Sequence, residues 1–178
     1  MSPWGIPLSF AMSAHRGQLR KFGSGAPYIG HPVRVAKMVE VTGAGEDTVS
    51  AALLHDVVED TTVTMETLRN VFGDDISYMV WQLTTVKHEG ENRAARKLRE
   101  RNRLAEATAD VQTIKLADLI DNTQDIIRFD KDFAKVYVAE KAELLSVLTK
   151  GDKGLFERAR MMVQTYHQER EQEDARNA

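Results

Sequence analysis

The chain has 178 residues, with 24 Lys and Arg against 27 Asp and Glu, and a formal net charge of −3. That length suits a single domain, and a composition of 42% hydrophobic and 29% charged residues is that of a globular chain, not a disordered one. The lack of cysteine excludes disulfides, thiolate nucleophiles and Cys-ligated metal centres, and the near-balanced charge argues against a general nucleic-acid surface.

No stretch approaches the ~20 apolar residues that cross a bilayer. Met1 to Ser13 also lacks the basic start of a signal peptide. The expectation is a cytoplasmic protein that engages neither membrane nor nucleic acid.

Apolar residues recur at three- and four-residue spacing and nowhere alternate over a long window, which predicts helices throughout. Leu8, Ala11 and Met12 mark a short first helix, and Gly23 to Gly30 reads as a loop around Pro27. His31-Pro32 opens a second helix whose buried stripe is Val35, Met38 and Val39, stopped by Gly43 and Gly45. A third is predicted from about Asp47 through Ala51, Leu54 and Val58, ending at Thr61-Thr62. Thr64 caps a short helix to Phe72, and Gly73-Asp74 separates it from one carrying Ile76, Met79, Val80 and Leu83.

Residues 91–109 are mostly good helix formers with only Leu98 and Leu104 strongly apolar, as in a helix that is exposed or partly covers a polar cleft. Asp110 is the expected cap of the next helix, which buries Ile114, Leu116, Ala117 and Ile120. A long amphipathic helix from about Asp132 to Lys150 follows. After a turn at Gly151 to Gly154 comes a last helix, whose charged end over 169–178 is expected to fray. The prediction is an all-α orthogonal bundle, one domain over 1–178 with its core at about 8–165.

Polar residues break into apolar runs at three places. In Ala51-Ala52-Leu53-Leu54-His55-Asp56, two metal-competent side chains follow four apolar ones, and Glu59-Asp60 return one helical turn later. Taken alone, this is equally a solvated acidic helix end. His31 opens its helix after Tyr28-Ile29-Gly30, and Asp118 sits inside Ile114-Lys115-Leu116-Ala117-Asp118-Leu119-Ile120. A buried carboxylate needs a partner such as a cation. His31, His55, Asp56 and Asp118 suit an octahedral divalent ion with open water positions, Mn²⁺ or Fe²⁺, with Zn²⁺ as an alternative.

This H…HD…D order resembles the HD-domain superfamily of metal-dependent phosphohydrolases. Four segments resemble the hydrolase domain of the RelA/SpoT homologues: Ala14-His15-Arg16-Gly17-Gln18-Leu19-Arg20-Lys21, Pro27 to Pro32, His55 to Thr61, and Lys115 to Asn122. The similarity runs from about Phe10 to Leu148. With no synthetase, TGS or ACT region after it, the chain is expected to be closest to the stand-alone small alarmone hydrolases.

The resemblance implies one divalent ion, Mn²⁺ first, and hydrolysis of the 3′-pyrophosphate of nucleotides such as (p)ppGpp and (p)ppApp. Glu59, with Asp60 as its partner, is placed to orient or deprotonate the attacking water. Asn122, one turn beyond Asp118, matches a position that contributes to the family's catalytic site. Arg20, Lys21 and Tyr28 match its nucleotide contacts, and Lys87 and Lys135 match further basic pocket positions. His15 is read as structural.

The sequence departs from the family around Asp118, where many members carry basic residues and this chain has Leu119, Asp121 and Gln124. Loss of phosphate or base contacts there opens adenosine 3′-pyrophosphates as substrates. The same departure keeps open an HD phosphatase acting on the 2′-phosphate of NADPH or another nucleotide monoester. The remaining alternatives are a non-catalytic nucleotide-sensing module and a nucleic-acid binder using Arg93 to Arg103. The presence of every ligand opposes the first, and Glu91, Glu100 and Glu106 oppose the second. The sequence leaves homo-oligomerisation open.

Overall fold

Seven consecutive residues, Thr48 to Leu54, are buried, so the helix that carries them has no solvent face and must sit at the centre of its neighbours. A computed structural model of the chain describes residues 2–21, 25–86 and 88–177. Among these there are nine helices: α1 Ile6–Ala14, α2 Gly30–Val41, α3 Glu46–Leu54, α4 Val57–Asp60, α5 Met65–Leu83, α6 Arg93–Glu106, α7 Ala109–Phe129, α8 Lys131–Leu145 and α9 Lys153–Asn177. The one extended pairing among them is an isolated antiparallel bridge between Leu19 and Pro27. The all-α bundle expected from the spacing is what the chain forms.

The central α3 packs on α1, α2 and α5, and α7 packs on α2, α8 and α9. Val35, Ala36 and Val39 from α2, Leu53 and Leu54 from α3, and Ile114, Leu116, Leu119 and Ile120 from α7 are all fully buried. Each buried Leu or Ile contributes roughly 1.5–3 kcal/mol. Because α2, α3 and α7 share this core, polar residues at their edges are brought together on one side of it.

Several boundaries differ from expectation. The third helix does not continue to Val58. It stops at Leu54, Asp56 takes φ −103° and ψ −5°, and α4 starts afresh at Val57. Local helix propensity cannot foresee this break, which turns His55 and Asp56 toward a common cleft. Thr108, not Asp110, caps α7: its extended backbone lets Oγ1 accept from Val111 N at 3.4 Å, whereas Asp110 lies within the first turn.

The helix α8 ends at Leu145, not Lys150, because the following turn is drawn onto α7. Lys150 N donates to Gln112 Oε1 at 2.7 Å, and a β-carbon at Gly151 would lie 2.7 Å from Leu116 Cδ1. The last helix, α9, runs to Asn177, with Arg170 paired to Glu173 and Asp174. The separation at Gly73 appears as a kink within α5, with φ +82°. Thr64 caps α5 as expected, accepting from Thr67 N. No helix among the described residues is long and apolar enough to cross a membrane.

Candidate metal centre and substrate cleft

Four side chains from three parts of the chain converge where α2, the α3–α4 break and α7 meet. His31 Nε2 lies 3.4 Å from Asp56 Oδ2 and 3.3 Å from Asp118 Oδ1, and His55 Nε2 lies 3.1 and 3.8 Å from the same two oxygens. Donor atoms of His31, His55 and Asp118 all fall within 4.8 Å of one another. Both Nε2 atoms are buried without a hydrogen-bond partner. Buried nitrogens left unpaired beside two carboxylates suit a cation between them, so the donor set fits a divalent metal.

The far side of each imidazole is fixed. His55 Nδ1 meets Ala52 O at 2.7 Å and His31 Nδ1 meets Asp121 Oδ2 at 2.7 Å. A hydrogen on Nδ1 in each ring leaves the Nε2 lone pair facing the cluster. Burial lowers the affinity of His31 for a proton, yet the carboxylates of Asp118, Asp121 and Asp56 beside it outweigh that and raise its pKa to about 9. Burial likewise opposes the charging of His55, and Asp56 and Asp118 raise it well above the ordinary range. Asp56 and Asp118 are held well below theirs despite burial, by the imidazoles and, for Asp118, by Lys115.

Tyr28 OH lies 2.5 Å from Asp56 Oδ2 and 2.9 Å from Asp60 Oδ2. Burial and these two carboxylates hold its hydroxyl protonated far above its usual range, so it serves as a donor. Glu59 is anchored by Thr85 N, which donates to Oε2 at 2.7 Å. Burial raises the Glu59 carboxyl above its usual value, more than Thr85 and Lys115 lower it. A carboxylate pushed toward neutrality is a better base than an exposed one.

The cluster opens into a cleft of about 360 Å³. Tyr28, His55, Asp56, Glu59, Asp60, Asp118 and Asn122 line one side, and Lys21, Arg93, Arg96, Lys97, Lys115 and Lys141 bring positive charge to the same space. Several of those cations are paired. Arg93 grips Glu140, Lys97 donates to Glu100 at 2.6 Å, and Lys115 spans Glu100 and Asp118 at 3.2 and 3.0 Å. Lys21 and Arg96 have no carboxylate partner among the described residues. Lys141 is buried with its ammonium 4.6 Å from the Tyr137 ring centroid. A larger groove of about 730 Å³ between α7 and α9 is lined by Ile127, Met161 and Met162 and has no part of this cluster.

His31, His55, Asp56 and Asp118 therefore come together, and Glu59, Asp60, Asn122, Lys21 and Tyr28 line the cleft beside them. Arg20 does not. It is buried, with Nη2 donating to Asn122 Oδ1 and Asp125 Oδ2, both at 2.9 Å, and Nε donating to Asp125 at 3.1 Å. Asn122 Nδ2 in turn donates to Asp118 Oδ1 at 2.5 Å. The expected nucleotide contact is thus held between Asn122 and Asp125 behind the cleft wall and reaches Asp118 through Asn122. Lys135 does not line the cleft either and pairs at the surface with Asp132 at 3.5 Å. Lys87 lies outside the described residues.

Sequence reasoning gave the cations on α6, α7 and α8 no place in the cleft, because they are scattered among other charges. Only the shortage of apolar residues in α6 hinted at its role. His15, read as structural, packs against Tyr28 with ring centroids 4.8 Å apart.

The model of the HD domain matches residues 8–147. The chain belongs to the HD-domain family. Within that family it is similar to the guanosine-3′,5′-bis(diphosphate) 3′-pyrophosphohydrolase MESH1 of Danio rerio, 34% identical over 150 residues, which cover 83% of this chain and 82% of that protein. A guanosine-3′,5′-bis(diphosphate) 3′-pyrophosphohydrolase of Aquifex aeolicus is 34% identical over 143 residues, covering 78% of this chain and 20% of that protein. A solved HD-domain structure, described as a metazoan orthologue of SpoT that hydrolyses ppGpp, matches with a TM-score of 0.84 at 25% identity, over 93% of this chain and 96% of that one.

Proposed function

We propose that this HD-domain protein is a metal-dependent alarmone hydrolase that removes the 3′-pyrophosphate of (p)ppGpp, (p)ppApp or both. The observation that carries this reading is the single cleft in which a His/His/Asp cluster faces a wall of lysine and arginine. Carboxylates would hold the cation and ammonium groups the phosphates, as an anionic nucleotide needs. The names of the relatives point the same way.

His31, His55, Asp56 and Asp118 would hold the ion, and Mn²⁺ suits their two imidazoles and two carboxylates. When bound, such an ion acidifies water and polarises a phosphoryl oxygen. Glu59 takes the proton of the attacking water, its carboxyl already raised by burial. Tyr28 holds Asp56 and Asp60 in place through its hydroxyl. Asn122, supported by Arg20, orients Asp118. Lys21, Arg96 and Lys141 receive the phosphates.

The test is incubation of the Mn²⁺-loaded protein with ppGpp, ppApp and NADPH in separate reactions, with products resolved by chromatography. Pyrophosphate and the 3′-hydroxyl nucleotide are expected from one or both alarmones. Release of orthophosphate from NADPH alone would replace this reading with a phosphomonoesterase. No cleavage by a protein that holds the metal would leave a nucleotide-sensing module.

A further inference from the structure

Asp121 lies on α7 beside the cluster and is not in the cleft. It projects from α7 on the same stripe as Asp118 and Asn122, three residues on from the first, and faces α2 instead of substrate. Its side chain is 4% exposed. Oδ2 meets His31 Nδ1 at 2.7 Å and accepts from Arg34 Nη2 at 2.9 Å, while Oδ1 accepts from Arg34 Nε at 2.6 Å. On α2, His31 and Arg34 are themselves three residues apart, so one carboxylate bridges one turn of the facing helix. Arg20 Nη2 stands 3.8 Å away on the other side.

We infer that Asp121 is a metal-positioning residue: through His31 Nδ1 it fixes the tautomer and direction of a ligand imidazole, and Arg34 holds it in place to do so. The inference rests on reading His31 as a metal ligand and does not depend on the substrate. An imidazole that can rotate or exchange tautomers presents Nε2 only part of the time. A carboxylate behind it removes that freedom and increases the electron density at Nε2. The bidentate grip of Arg34 fixes the carboxylate plane and supplies the compensating charge, so that the buried Asp121 stays ionised. The same contacts could serve only to tie α7 to α2. The two roles differ in what they predict for metal affinity once the fold is intact.

The experiment is titration of the metal-free protein with Mn²⁺ by calorimetry for the wild type, Asp121→Asn, Asp121→Ala and Arg34→Gln. Thermal unfolding of each metal-free protein and the visible spectrum of each Co²⁺ form accompany it. Asp121→Asn keeps the shape and an acceptor oxygen and should weaken Mn²⁺ binding ~10-fold, with Asp121→Ala nearer ~100-fold. Arg34 is half-exposed, so Arg34→Gln leaves the core untouched and should weaken binding by a smaller factor in the same direction. The Co²⁺ band positions should shift in both Asp121 variants.

Mn²⁺ affinity within twofold of wild type in Asp121→Asn and Asp121→Ala overturns the inference. So does a loss of affinity seen only in variants whose metal-free form has also lost its folding transition. A wild-type protein that binds no Mn²⁺ would overturn the metal reading and this one together. Binding by the wild type with unchanged variants would overturn this one alone.

Discussion

Arg20 donates through Nη2 to Asn122 Oδ1 at 2.9 Å, and through that amide it reaches Asp118 without touching the cleft. A residue that the sequence assigns to substrate has its guanidinium engaged by Asn122 and Asp125. Arg20→Ala should therefore lower kcat with little change in KM. It should also destabilise the fold by about 3 kcal/mol, the low end for breaking a buried pair, since Asp125 is partly exposed. Steady-state kinetics and denaturant unfolding measure both. A raised KM with kcat intact would return Arg20 to the substrate.

Asp56 and Glu59 lie one turn apart, yet their partners differ. Asp56 Oδ2 is within 3.4 Å of Nε2 of both His31 and His55, whereas Glu59 is anchored to Thr85 away from them. Asp56→Ala should lose both bound metal and activity. Glu59→Ala should retain the metal and lose turnover by roughly 10²–10⁴-fold, the usual contribution of a general base. Metal content by atomic absorption beside single-turnover rates separates the two. Equal metal loss in both variants would refute this division of roles.

Protons and metal compete for the imidazoles. His31 in the metal-free protein has its pKa raised to about 9, against an ordinary value near 6.5. The stability it contributes is fully present below about pH 6.5 and is lost as pH rises toward 9. Mn²⁺ affinity should rise over the same window, and binding at pH 7 should release protons. Calorimetry in buffers of different ionisation enthalpy detects that release. A metal affinity flat between pH 6.5 and 9 would contradict it.

Lys141 is buried beside Tyr137, and burial, reinforced by Lys115 and Lys97, lowers its pKa to about 8. Its ammonium is disfavoured in the folded state, a cost present below pH 8 and relieved as pH rises from there toward 10.5. Lys141→Met should stabilise the protein on the order of 1–3 kcal/mol at pH 7, with the gain fading above pH 8, while KM for a phosphorylated nucleotide rises. Unfolding curves at pH 7 and pH 10 test the first part. A destabilised variant at pH 7 would make Lys141 a net anchor of the fold.

Much of the centre was legible in sequence because its signals are local. A histidine and aspartate directly after Ala51-Ala52-Leu53-Leu54, or an aspartate between Leu116 and Leu119, is conspicuous against an apolar run. The helical period likewise predicted an all-α chain, and the order of four short segments carried the family resemblance. Zero cysteines already restricted any metal to imidazole and carboxylate.

What the tertiary structure decided was which charges face each other. Arg20, Lys21, Lys97, Lys115 and Lys141 are each one positive charge to a reader of sequence. Only packing places Asp125 against the first, Glu100 between the third and fourth, and leaves Lys21 at the cleft. Asp121 is the clearest case: among the acids of α7 it is one letter, and the crossing of α2 over α7 makes it the partner of His31 and Arg34. Pairing between residues some 90 positions apart depends on the relative placement of two helices, and no spacing along one helix encodes that.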